Sequence, residues 1–174
     1  STGRILAVVE RPGGFDRAGA AALYASAFKD DGTDPNSLDT EQAAARINGR
    51  VIRDDLLAAL DDWAAITPDK DEAQRLYRIA QAADPDAASF RNRCLARIQA
   101  KDWDGLWRLA FGPEGEGLSA AALDRLGRLV RYSGGGPAEA AKFLKEADGR
   151  RPGDFWIAFE LGSVSADQGA AGTD

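Results

Sequence analysis

Four residues of this chain, Ala73, Tyr77, Ala80 and Pro85, recur 67 positions later as Ala140, Leu144, Ala147 and Pro152. An alanine, a ring or leucine four residues on and an alanine three further lie along one stripe of a helix. The small side chains let a neighbouring helix come close, and the larger one fills the gap beside them. A proline five residues later cannot continue the helix and turns the chain. The offset equals two periods of about 34 residues, a length at which helical hairpins stack in series. Trp103, Trp107 and Ala110 repeat the first two spacings between the two full copies. The expected fold is therefore all-α: a right-handed α-solenoid of antiparallel helical hairpins.

Helix boundaries follow from caps and breakers. Apolar positions at helical spacing run from Asp16 to Lys29, and Gly32 stops them. Asp39 with Gln42 three residues on reads as a capping box, opening a helix that ends at Gly49. Helices are expected from Val51 to Ile66, from Thr67-Pro68 to Ala83, and from Ala87 to Ala100. Asp102 and Ser119 each cap a further helix, and Gly134-Gly135-Gly136-Pro137 separates the latter from the second copy of the repeat. Pro152-Gly153-Asp154 opens the last helix, and fraying is expected beyond Ala166. The β-prone run Ile5 to Val9, ahead of Pro12-Gly13-Gly14, reads as a tail or a neighbouring domain's last strand. The expected organisation is a segment over 1–14, a leading hairpin over 15–49, three repeat units plus a capping helix over 50–168, and a flexible tail over 169–174.

Composition narrows function by exclusion. The chain has no histidine and one cysteine, which removes serine–histidine and cysteine–histidine nucleophiles, the usual zinc sites and any internal disulfide. Cysteine usage of this kind suits a cytoplasmic chain. Position 1 is not methionine, nor is any other, and the start lacks a signal-peptide pattern, so a piece of a longer protein is expected. With net charge -6 no global attraction to nucleic acid is expected, and no apolar run is long enough to span a membrane. The arginines at 91, 93, 97, 125, 128 and 131 concentrate positive charge without interleaved stacking aromatics, a poor pattern for RNA. The acid pairs Asp54-Asp55 and Asp61-Asp62 point about 100° apart on a helix and read as solvated faces, not shared-proton dyads. The oxygen-rich stretch from Asp30 to Glu41 misses calcium-loop spacing, and Cys94 falls on an apolar stripe. No catalytic residue, metal or cofactor is expected.

Over residues 50–168 these features resemble the tetratricopeptide repeat (TPR) family. The alanine–aromatic–alanine–proline set stands where that family's second-helix signature lies, and Leu126-Gly127 and Leu161-Gly162 match part of its first-helix signature. Leu60-Asp61 and Cys94-Leu95 depart from it. A looser likeness, carried by residues 21–29, 43–47 and 57–64 and by Pro152 to Trp156, is similar to the accessory region of large bacterial serine/threonine kinases or WD40 proteins. The chain carries no kinase motif, so the resemblance implies a non-catalytic, kinase-associated piece.

In such an array the first helix of each pair lines a concave face. Carried onto this chain, the resemblance implies a partner-binding groove of Asp55, Asp62, Asn92, Arg93, Gln99, Asp124, Arg128, Arg131, Trp156 and Phe159. The groove would be acidic at its start, basic around the third unit and aromatic at its end. Ala58 and Asp62 stand where a carboxylate-clamping repeat needs a lysine and an asparagine. Trp156 and Phe159 sit near the open end, where the reading favours structural capping over an exposed patch. The expected function is a protein–protein interaction scaffold or regulatory module taking a peptide or helix. The alternatives are a helical enzyme domain using carboxylates and a purely structural spacer.

Overall fold

A computed structural model of the chain describes residues 17–170, the side chains of Trp156, Asp167 and Ala170 excepted. The β-prone run from Ile5 to Val9 lies outside the described residues. Among the described residues there are nine α-helices and no strand. The chain divides into two compact units, Ser1–Pro85 and Asp86–Asp174, a division that falls inside the span 50–168.

The first unit holds α1 (Arg17–Asp31), α2 (Thr40–Asn48), α3 (Arg53–Ile66) and α4 (Lys70–Ala83). Local chemistry explains each boundary. Gly32, at φ 77°, takes the left-handed turn after α1, where a side chain would be strained. The Asp39 carboxylate accepts from the Gln42 amide (2.8 Å), while the Gln42 side chain accepts from the Asp39 amide (3.3 Å). Both halves of the capping box are thus present. Helix α4 begins later than expected. Asp69 rather than Thr67 caps it, accepting from the amides of Asp71 (2.9 Å) and Glu72 (3.2 Å), and Pro68 stands outside the helix. A carboxylate reaching two free amides beats a residue whose hydroxyl is already used, Thr67 donating to the Trp63 carbonyl at 2.7 Å.

Helix α3 is the centre of this unit, touching α1, α2 and α4. Its Leu56, Leu57, Leu60, Trp63 and Ile66 are buried. The Trp63 ring stacks on Tyr24 (6.2 Å between centroids) and tilts against Phe28 (5.5 Å). Arginines close the exposed carbonyl ends: Arg17 donates to the Ile66 carbonyl (3.1 Å) and Arg53 to that of Ala83 (3.0 Å).

The second unit holds α5 (Phe90–Gln99), α6 (Trp103–Phe111), α7 (Ala120–Val130), α8 (Gly136–Arg150) and α9 (Phe155–Ala170). Helix α5 starts three residues later than expected because Ser89, whose hydroxyl accepts from the Asn92 amide, is its cap. Asp102 and Ser119 cap α6 and α7 as read from the sequence. Between α7 and α8 the residues Arg131–Gly135 form a wide turn, with Gly134 at φ 106°. Helix α9 continues past Ala166 to Ala170.

The repeat residues differ in depth: Ala73, Tyr77, Trp103 and Trp107 are half-buried, and Pro85 and Pro152 are exposed. Ala80, Ala140, Leu144 and Ala147 are fully buried, and so is Ala110. A Cβ added at Gly127 would stand 2.6 Å from Leu144 Cδ2, so the absence of a side chain there lets α7 and α8 approach. Gly162, the other leucine–glycine match, has open space around it.

Candidate functional site

The ten residues expected to line a groove meet different fates. In the first unit, Asp55 is half-buried in the first turn of α3. Asp62 is 0% exposed and accepts a hydrogen bond from the Tyr24 hydroxyl of α1. Its neighbour Asp61 is 3% exposed. The expectation of a solvated face for this pair is therefore corrected. The cause is the position of α3: helices cover it on several sides, so the side facing away from its apolar stripe is interior as well.

In the second unit Asp124, Arg128 and Arg131 come together, and Glu160 of α9 joins them. An Arg128 guanidinium nitrogen lies 2.6 Å from Asp124 Oδ2 and 3.9 Å from Glu160 Oε2. Arg131 reaches Glu160 Oε1 at 3.3 Å, and its guanidinium lies over the Tyr132 ring at 5.2 Å. The side chains of all four are buried. Two cations and two anions balance here, which is what makes their burial tolerable. The basic stretch expected around the third unit is thus turned inward, its charge spent on joining α7 to α9. Charge reversal at Arg128 or Arg131 would strand buried charge at a cost of about 3–5 kcal/mol. Glu160 was missed, although it shares a helical stripe with the buried Ile157 and Val164. A lone acid in an apolar stripe was the available signal.

Asn92 is half-buried, donating to the Asp86 carbonyl (2.8 Å) and accepting from Arg91 (2.9 Å). Arg93 pairs with Glu114 (3.1 Å), which holds the Glu114 carboxyl below the usual carboxylate range. Gln99 is exposed on α5. Phe159 is 39% exposed, beside Phe155 at 64%, their rings 6.1 Å apart on α9. The side chain of Trp156 lies outside the described residues. Cys94 is buried, and burial pushes its thiol up to about 12, far from a reactive thiolate.

Comparisons with known proteins add no identity: no family model matches the chain, and neither a curated protein nor a solved structure matches it. Among the described residues no group of three or more acids and cysteines is arranged to hold a metal ion, and no helix is long and apolar enough to cross a membrane. Accessible partner-facing candidates in the second unit are accordingly Asn92, Arg93, Gln99 and Phe159, with Phe155 added by the structure.

Proposed function

We propose that this chain is a non-catalytic protein–protein interaction module, a right-handed stack of antiparallel TPR-like hairpins that receives a peptide or helix of another protein. The observation that carries the reading is the seat of Leu144 against Gly127. It joins a leucine–glycine first helix to the alanine–leucine–alanine second helix, the two halves of one repeat signature. Packing order in parts of each unit agrees: α2 meets both α3 and α4, and α7 meets both α8 and α9, so these two helices touch their next and next-but-one neighbours. In this reading the module is a cytoplasmic accessory part of a larger bacterial signalling protein.

The carboxylate-enzyme alternative needs acids converging on one open site. Asp61 and Asp62 are buried within the helical core instead, Asp62 against Tyr24. Separating module from spacer takes one comparison. Extract of the source cell is passed over the wild type and over a Phe155→Ser/Phe159→Ser/Gln99→Lys variant of unchanged circular dichroism, and captured proteins are quantified. The module reading expects at least one partner depleted about tenfold or more on the variant. Equal capture by both proteins sinks it and favours the spacer.

A further inference from the structure

Leu161-Gly162 of α9 repeats the leucine–glycine pair of α7, but the two glycines have different surroundings. The space at Gly127 is filled from a neighbouring helix, since a Cβ there would stand 2.6 Å from Leu144 Cδ2. A Cβ at Gly162 would meet nothing within 4 Å. Helix α9 also exposes two rings, Phe155 by 64% and Phe159 by 39%, with centroids 6.1 Å apart. At spacings of four and three residues, Phe155, Phe159 and Gly162 share one helical face. Two rings and an unfilled gap therefore lie side by side on the outward side of α9.

This face is anchored from behind. Ile157 and Val164 are fully buried on the opposite side of α9, and Glu160 between them pairs with Arg128 and Arg131 of α7. Glu160 is also the one charged side chain of α9 among the described residues, so no described outward side chain carries charge. Exposed Ala158, Ser165 and Ala166 complete the face with small groups. In a chain of net charge -6, an uncharged face is where a second copy meets least repulsion.

Its spacing is self-complementary as well. Two copies of α9 laid antiparallel about a two-fold axis between residues 160 and 161 bring together positions equally far from that point. Phe155 of one copy then stands opposite Ala166 of the other, and Phe159 opposite Gly162. Each ring meets a small residue, and the axis repeats both contacts. A foreign helix needs rings and gaps of its own at matching levels, whereas α9 already carries both. We propose that α9 pairs antiparallel with α9 of a second copy of this chain, Phe159 of each seated over Gly162 of the other. A contact confined to one helix of 16 residues lies at the small end of interface sizes, so a micromolar dimer is expected. The inference claims the same two rings as the interaction-module reading but does not depend on it.

The test is sedimentation velocity of the full chain from about 1 μM to 1 mM, where a monomer–dimer equilibrium is expected. Gly162→Leu fills the gap with a side chain that the single chain has room for. It should keep the circular dichroism of the wild type and raise the dimer Kd about tenfold or more. The swap Phe159→Ala/Gly162→Phe exchanges ring and gap, and should bring the Kd back within about threefold of wild type. Ala166→Glu, at an exposed position opposite Phe155, should weaken the dimer even where Gly162→Leu disturbs the fold. A monomer at every concentration overturns the proposal. So does a dimer whose Kd stays within about twofold of wild type in both Gly162→Leu and Ala166→Glu, or a swap no tighter than Gly162→Leu alone. Capture of another protein through Phe155 and Phe159 by a chain that never dimerises leaves the module reading in place and removes this contact. A dimer weakened by Gly162→Leu, with equal capture by wild type and the Phe155→Ser/Phe159→Ser/Gln99→Lys variant, keeps the contact and removes the module reading.

Discussion

At Lys101 the backbone enters a region that costs an L side chain about 1–2 kcal/mol, while the surrounding hydrogen bonds need only the turn itself. Lys101→Gly is therefore expected to raise stability by roughly 1 kcal/mol in urea unfolding. A loss of stability instead would show that the lysine stem, which lies against Gly134, itself holds the turn. Cys94 offers a second residue-scale check. Its thiol, pushed up to about 12 by burial, keeps its proton in the fold, whereas the unfolded chain releases it near the ordinary thiol value of about 8.5. Stability is then level below about pH 8.5 and falls as pH rises from there towards the folded value. Iodoacetamide near pH 8 should leave Cys94 unmodified in the native protein and label it in urea, as read by intact mass. Labelling of the folded chain at the urea rate would place the thiol at the surface.

At the scale of elements, close helix pairing hangs on single small residues. Gly127→Ala places a methyl 2.6 Å from Leu144 Cδ2, and Leu144 is itself fully buried. The expected loss is about 1–3 kcal/mol by overpacking. Adding Leu144→Ala opens the space the methyl needs, so the double variant should be more stable than the sum of the two losses predicts. Strict additivity, measured by chemical denaturation, means the two residues do not press on each other. Element boundaries were legible wherever a side chain caps its own neighbours. Asp39, Asp102 and Ser119 act within three residues, a distance the sequence displays directly. They were misjudged where two caps competed, as at Thr67 and Asp69, because the winner depends on which hydroxyl is already engaged.

For the molecule as a whole, the two compact units supply separate cores, one around Trp63 and one around Leu144 and Phe143. Asp62→Ala removes the buried carboxylate that accepts from the Tyr24 hydroxyl, which costs about 1–3 kcal/mol. Hydrogen exchange of the full chain should then lose protection in α1–α4 while the amides of α7–α9 exchange within about twofold of wild type. A uniform loss across all helices would make the chain one cooperative unit. Helical class, the caps and the buried alanines of the repeat follow from spacing along the chain, since helix geometry turns a three- or four-residue interval into a shared face. The interior acids were settled by tertiary structure alone. Whether Asp62 and Asp124 meet water depends on how many helices surround α3 and on where Glu160 of α9 comes to rest, and those distances are set between segments far apart in the chain. Burial on several sides and the balancing of a charge by a remote partner leave no periodic trace for a local reading to follow.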